Sequence, residues 1–331
     1  MKNIILLILL GLTQLPDSVM VAFWNLENFF DPFTDTTLAY NEFTETGRQH
    51  WTTSRFYHKR NNIYKAILAF SKNKAIGVMG LCEVENEYVL NAVFKMTPLK
   101  RFNYRWVHYE GPDRRGIDPA IVYSLDHFQL MYSEAIPFRN PTDREMVSRD
   151  ILYAKFFDYH NDTLHCFVNH WPSKYRGELE TVDARNCAAS IVRHQVDSIL
   201  LADPTAKIVI MGDFNDTPDA PCISQVLGAR SADDGEGPLI NLFTNPQELG
   251  FDGTLKYQEK WMVFDQIIVT RSLLDGESLH CHPSDAHIVH DKMLLTDDPT
   301  YHGKKLNRTY VGPKYYGGFS DHLPVLLLLR Y

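Results

Sequence analysis

The stretch VAFWNLENFFDP, residues 21–32, starts as a buried β-strand and then places an asparagine and a glutamate where the apolar run would continue. Side chains alternate across a strand, so Val21, Phe23, Asn25 and Glu27 fall on one face and Ala22, Trp24 and Leu26 on the other. One face stays apolar while its opposite turns polar near the strand's end. Such a strand carries an amide and a carboxylate to the rim of a sheet; alternatively it ends at Asn25 and Glu27 is solvated. The rest of the chain decides.

Working outward, the runs SVMVAFWNL, AIGVMGLCEV, DPAIVYS, LHCFVNHW, KIVIMGDF, FDQIIVT and LPVLLLLR read as strands, the near-continuous apolar ones covered on both faces. Amphipathic helices lie between them. In YHKRNNIYKAILAFSKN, Ile63, Ala66, Ile67 and Phe70 recur at helical spacing with basic residues opposite. Leu90, Val93 and Phe94 form a second stripe, and Ala188, Ile191, Val192, Val196 and Ile199 a longer third. Strands and helices alternate early and the last third is mostly strand and long loop, so the class is α/β or α+β, without repeats or a dividing linker.

Polar residues interrupt these strands at their ends. KIVIMGDFNDTPDAP sets Asp213 and Asn215 two apart after an apolar run, repeating the carboxylate–amide pairing of the opening strand; an Asx-turn ended by Pro218 is the alternative. GLCEVEN ends a buried run in Glu83 and Glu85, and a buried glutamate is costly unless paired or bound to a cation. A hard divalent ion such as Mg²⁺ takes such oxygen ligands and keeps waters for a substrate phosphate. VNHWPS closes a strand with His170, FDQIIVT opens one with Asp265, and GGFSDHLPV sets Ser320, Asp321 and His322 before the last strand.

In this order the motifs resemble those of the endonuclease/exonuclease/phosphatase superfamily, which includes pancreatic deoxyribonuclease, abasic-site endonucleases, sphingomyelinases and inositol polyphosphate 5-phosphatases. WNLEN is similar to its W-N-x-[DE] strand, GLCEVEN to L-Q-E-[VT], VNHWPS to its histidine-bearing strand, GDFND to G-D-[FL]-N and FSDHLPV to S-D-H-x-P. The likeness runs from Val21 to the last strand. It departs at Cys82, where glutamine is frequent, and at Glu27, where aspartate is common; neither removes a ligand.

The resemblance implies a four-layer sandwich of α/β (α+β) class: two mixed β-sheets packed face to face with helices outside. It also implies roles. Glu83 is the main metal ligand, supported by Asn25 and Glu27, with Asp321 a ligand or the partner of His322. Asp213 orients or deprotonates the attacking water, Asn215 bonds a phosphoryl oxygen, and His322 contacts the phosphate or moves a proton. Asp265 orients a histidine, usually the one at His322, and His170 serves as acid or phosphate clamp. The cofactor is Mg²⁺, with Mn²⁺ or Ca²⁺ as alternatives. Phosphoryl transfer depends mainly on positioning and charge neutralisation, which is why such a site needs a cation, phosphate donors and a group to take the water's proton. Arg115, Lys174 and Arg176, in RRGID and HWPSKYRG, are candidate phosphate ligands, as are Arg149 and Arg185; each is otherwise a solvated cation. The tract HCHPSDAHIVHD, with His280, His282, His287 and His290, fits no zinc spacing well and reads as a loop.

Composition narrows the function. The 331 residues are 44% hydrophobic and 22% charged, and the net charge of −8 argues against a protein held to nucleic acid mainly by its phosphate backbone. Cys82, Cys166, Cys187, Cys222 and Cys281 stand singly and read as core thiols. Residues 1–17 carry one lysine and the apolar run Ile4–Leu10, too short to span a membrane but fitting a secretory leader, with residues 18–331 as one domain. The expectation is export to a periplasmic or extracellular space, otherwise the cytoplasm; the odd cysteine count counts against an oxidising compartment. The reading is a monomeric metal-dependent phosphoesterase, nuclease-like and acting on a phosphodiester, with no stable protein partner. A phosphatase or phosphodiesterase of a lipid headgroup, inositol phosphate or other small phosphorylated molecule is the alternative. A catalytically dead binding module is disfavoured, because Glu83, Asp213, Asn215, Asp321 and His322 are all present.

Overall fold

The computed structural model describes residues 17–33, 42–140, 147–174, 177–234, 237–276 and 278–331, so the expected leader lies outside the described residues except for Asp17. In chain order the elements are β1 (Ser18–Phe29), α1 (Thr53–Phe70), β2 (Val78–Val84), α2 (Glu87–Phe94), β3 (Tyr104–His108), β4 (Asp118–Ser124), β5 (Phe128–Ile136), β6 (Ile151–Asp158), β7 (Thr163–His170), α3 (Glu178–Ala202), β8 (Lys207–Asp213), β9 (Ala229–Arg230) and β10 (Leu239–Asn241). Then come β11 (Leu255–Tyr257), β12 (Lys260–Met262), β13 (Asp265–Thr270), α4 (Ser272–Asp275), β14 (Ala286–Ile288), β15 (Leu295–Asp297), β16 (Lys304–Leu306), β17 (Tyr310–Val311), β18 (Lys314–Tyr315) and β19 (Val325–Arg330).

One sheet has the order β14-β19-β1-β2-β4-β3 and the other β5-β6-β7-β8-β13-β10-β9. Both are mixed. The pairs β1–β2 and β7–β8 are parallel, so each needs a crossover, which α1 and α3 supply on the outer faces. The apolar inner faces meet and carry Phe23, Val168, Met211 and Ile267 in one continuous core. Gly80 lets them approach closely: a Cβ there would lie 2.8 Å from Val168 Cγ2 and 3.0 Å from Met211 Sδ.

Outside the first sheet, α1 starts at the Thr52 cap, whose hydroxyl accepts from Arg55 N, and buries Phe56, Ile63, Ala66, Ile67 and Phe70. Phe70 meets Trp24 edge-on at 6.1 Å and Phe56 packs on Phe29 at 5.6 Å. Outside the second, α3 lays Ala184, Ala188, Val192 and Val196 on Phe167, Ile208, Ile210 and Ile268. The result is the expected four layers. One part of the sequence reading is corrected: the basic residues of α1 do not all face away from its apolar stripe, because Lys59 is fully buried. It sits four residues before Ile63, on the same face. The five cysteines are unpaired, and four are buried. Among the described residues no helix is long and apolar enough to cross a membrane.

Candidate active site

Three neighbouring strands of the second sheet end together. In register, His170 of β7 pairs with Asp213 of β8, and Asp213 with Asp265 of β13. Each lies two positions from an inward-facing apolar residue, His170 and Asp213 after Val168 and Met211 and Asp265 before Ile267 on an antiparallel strand, so all three side chains emerge where the layer between the sheets runs out. Gly212 permits the approach of β7 and β8, since a Cβ there would lie 2.4 Å from the Asn169 carbonyl oxygen. From the opposite sheet, Asn25 Nδ2 donates to Asp213 Oδ2 at 3.0 Å.

Plain alternation does not place the glutamates. Cys82 faces inward, with Sγ donating to the Asn169 carbonyl, so a regular strand would turn Glu83 toward the outer helices. Instead Glu83 has φ +62° and the β2–β4 register breaks between Leu81 and Val84. Its Oε2 accepts from Asn28 N at 2.6 Å. Glu27 and Asn28 are likewise left-handed, with φ near +50°, and β1 shifts register on β2 between Asn25 and Phe29. Such a backbone costs a glutamate on the order of 1 kcal/mol, so the fold is holding these carboxylates where a regular strand would not.

Asp265 is fully buried and its Oδ2 lies 2.7 Å from His322 Nδ1. His322 Nε2 lies 3.7 Å from Asp213 Oδ2, and Asp213 Oδ1 accepts from Asn215 N at 2.9 Å. Asn215 Nδ2 donates to the Trp171 carbonyl at 2.9 Å. His170 Nε2 stands 3.6 Å from Asp213 Oδ2 and 3.8 Å from Glu83 Oε1. Burial pushes the Asp213 carboxyl up to about 7, with Asp265 adding and His322 opposing. Burial also works against a charge on His322, but Asp265 and Asp213 outweigh it and raise its pKa well above the ordinary value. His170 is held well below its ordinary value by burial, then by Arg115 and His322. Two neighbouring imidazoles are thus set to opposite protonation states.

A second group holds the segment leading into β19. Glu27 accepts from Thr309 N at 2.6 Å and Tyr310 N at 3.1 Å, and Arg308 Nε lies 3.4 Å from its Oε1. Lys59 Nζ donates to the Glu27 carbonyl at 2.6 Å and Thr309 Oγ1 at 2.7 Å. Asp321 is not the hydrogen-bonded partner of His322: its Oδ2 accepts from Arg308 at 2.7 Å. Ser320 Oγ donates to the Asn25 carbonyl at 2.6 Å, and Trp24 Nε1 to the His322 carbonyl at 2.9 Å. Lys59 and Arg308 are functional neighbours that the sequence reading missed, while Ser320 was named there without a role. Only Lys59 left a signal, by falling within a helical apolar stripe.

Of the candidate phosphate ligands, Arg115 Nη1 lies 3.7 Å from Glu83 Oε1. Lys174 Nζ is 2.7 Å from Asp216 Oδ1, while buried Arg185 donates to Asp216 Oδ2 at 2.8 Å, so both hold the loop after Asn215. Arg176 lies outside the described residues. The donor set fits a hard divalent cation. Glu27, Glu83, Asp213, Asp265 and Asp321 stand among Lys59, Arg115, Arg308 and the protonated His322, five carboxylates against four cationic groups, and burial lowers Lys59 to about 8. Glu83 Oε1 accepts no hydrogen bond among the described residues, and Asp265 Oδ1 is buried without a partner. Asp213, Asp265 and His322 each bring one ligand atom within 4.8 Å of the others, and among the described residues no other such group of histidine, cysteine and carboxylate side chains occurs. The four-histidine tract forms none. Beside the site a cavity of about 770 Å³ is lined by Thr217 and Pro218, just past Asn215, and by Trp261, Met262 and Val263, just before Asp265. Its charged residues are Asp219, Asp234, Asp252 and Arg230.

A sequence profile of the Endonuclease/Exonuclease/phosphatase family matches residues 20–331. No curated protein sequence matches the chain. Among solved structures it is similar to D. rerio TDP2 humanized by 14 mutations, at 15% identity and TM-score 0.59, covering 96% of this chain and 100% of that one. A mannosyl-6-phosphatase of Bacteroides thetaiotaomicron shares 15% identity at TM-score 0.60, with coverage of 95% and 100%. ANGEL2, a 2′,3′-cyclic phosphatase, shares 16% at TM-score 0.58, with 95% of each chain covered. At such identities the likeness is one of fold.

Proposed function

The chain belongs to the endonuclease/exonuclease/phosphatase family, whose members are phosphoesterase hydrolases, and on that premise we propose that it cleaves a phosphate ester by direct attack of water, with Mg²⁺ as cofactor. The observation that carries the reading is the Asp265–His322–Asp213 alignment, 2.7 Å on one side of the imidazole and 3.7 Å on the other. Asp213, with its carboxyl near 7, takes the proton of the attacking water. His322 stays protonated and donates from Nε2 to a phosphoryl oxygen, and Asp265 fixes its ring and tautomer. Asn215 offers its remaining amide N–H to the same phosphoryl group. Glu83, with Asp321 and Asn25, would hold the cation, which when bound offsets the surplus negative charge and polarises the phosphate.

The sequence favours a nuclease-like action on phosphodiesters. The second reading, a small phosphorylated molecule, is supported by the cavity: three carboxylates against one arginine repel a polyanion and suit a compact polar leaving group. D. rerio TDP2 has been seen with a single-strand DNA product, and the mannosyl-6-phosphatase shares the fold, so the fold serves both kinds of substrate. The apolar N-terminal run supports an exported protein. A panel of plasmid DNA, RNA, bis-p-nitrophenyl phosphate, p-nitrophenyl phosphate, sugar phosphates, inositol phosphates and sphingomyelin, with and without EDTA, tests the proposal. EDTA-sensitive release of a phosphate ester product is expected. Turnover of DNA or RNA alone would support the nuclease reading over the second, and turnover of nothing would leave the dead binding module.

A further inference from the structure

Asp113, in the loop between β3 and β4, lies between two guanidinium groups. Its Oδ2 is 2.8 Å from Arg149 Nε, and its Oδ1 accepts the backbone N–H of Arg115 at 2.7 Å while lying 3.6 Å from Arg115 Nε. Arg149 is buried, with a side chain only 8% exposed, just ahead of β6 in the second sheet. The loop is thereby tied across from one sheet to the other. A further bond from Gly111 N to Asp118 Oδ2, at 3.0 Å, closes its base. The fixed loop presents Arg115 Nη1 to Glu83 Oε1 at 3.7 Å, the carboxylate oxygen that His170 Nε2 faces at 3.8 Å. At those distances the guanidinium of Arg115 makes no hydrogen bond among the described residues, although its side chain is only 29% exposed. A half-buried, planar donor fork with unused N–H groups beside the catalytic carboxylates matches a phosphate in geometry and charge.

We propose that Arg115 binds the non-bridging oxygens of the substrate phosphate and that Arg149, acting through Asp113, is the positioning residue that aims it; this rests on the phosphoesterase reading above. The division of labour is specific. Arg115 touches the ligand, while Arg149 matters only while Arg115 is present.

The test uses the full chain with Mg²⁺, inorganic phosphate as a calorimetric probe and bis-p-nitrophenyl phosphate and p-nitrophenyl phosphate as chromogenic substrates, each variant being checked by circular dichroism. Arg115→Ala should weaken phosphate binding by about 10- to 100-fold, the scale of a charge-assisted hydrogen bond, and millimolar guanidinium should restore part of the turnover. Arg115→Lys should recover only a fraction, because a point charge replaces a fork. Arg149→Lys should raise KM, and the double variant Arg115→Ala/Arg149→Lys should be no worse than Arg115→Ala alone. Wild-type phosphate affinity in Arg115→Ala, or additive losses in the double variant, would overturn the assignment. If Arg149→Lys fails to fold, Asp113→Asn takes its place in the cycle with the same expectation. A wild-type protein that neither binds phosphate nor cleaves either substrate would instead overturn the phosphoesterase reading, and this inference with it.

Discussion

Replacing Asp265 with asparagine separates what the buried carboxylate does for His322 from what it does for the fold. The side chain is fully buried, with Oδ2 bonded to His322 Nδ1 at 2.7 Å and Oδ1 without a partner among the described residues. Asparagine keeps the shape, and its carbonyl can still accept from Nδ1–H, but the charge is gone. A hydrogen bond to a charged partner contributes about 1.5–3 kcal/mol, so the imidazolium is destabilised by that amount and turnover should fall about 10- to 100-fold. Among the groups raising the His322 pKa, Asp265 is the largest, so the variant's imidazole loses its proton at a lower pH. The alkaline limb of the pH–rate profile should therefore move to lower pH. Stability should fall by no more than that same amount of about 1.5–3 kcal/mol, because asparagine keeps the hydrogen bond but leaves the buried imidazolium without its counter-charge, so the variant stays folded. Initial rates on bis-p-nitrophenyl phosphate between pH 5 and 10, with urea melts of the same preparations, supply both numbers. Turnover within twofold of wild type, or a loss of activity matched by unfolding, would refute the argument.

Other consequences are independent of this one. Gly80→Ala forces a methyl to 2.8 Å from Val168 Cγ2 where the sheets meet, so urea denaturation should show a loss of about 1–3 kcal/mol; an unchanged midpoint would mean the sheets are not packed this closely. Asp118 has its carboxyl raised to about 7, first by burial, so between pH 4 and 7 the folded chain keeps a proton that the unfolded chain releases. Its contribution is present at low pH and is lost as pH rises through that window, by at most about 4 kcal/mol. Asp118→Asn should flatten the stability–pH curve there and leave the variant more stable at pH 8; an identical slope would count against it. Protein purified from its native host should begin near Ser18 by N-terminal sequencing, and an intact Met1 would remove the leader.

Much of this architecture is legible in the chain because the central strands are buried on both faces and read as apolar runs ending in polar residues. DPAIVYS reappears residue for residue as β4, and KIVIMGDF as β8 except for its last residue, Phe214. The edge strand β5 escaped because it exposes Gln129, Met131 and Tyr132, so no apolar period marks it. Glu83 was picked out by its chemistry, yet its aim depends on a left-handed backbone and a register break that no local pattern encodes. Pairings distant in sequence were equally hidden. Arg308 reads as a loop cation until the fold brings it to Asp321 and Glu27, and Lys59 reads as a solvated helix residue until Thr309 and the Glu27 carbonyl enclose it.

The most direct test of the account is the rate of phosphate ester hydrolysis against Mg²⁺ concentration for wild type, Glu83→Gln and His322→Ala. Wild type should lose activity to EDTA and regain it with Mg²⁺. Glu83→Gln should need more Mg²⁺ to reach half its maximal rate, because the cation loses a charged ligand. His322→Ala should turn over roughly 10²-fold more slowly with that half-point unchanged, the scale of losing an acid–base group. Hydrolysis that survives EDTA, together with a Glu83→Gln variant matching wild type in rate and Mg²⁺ dependence, would contradict the account.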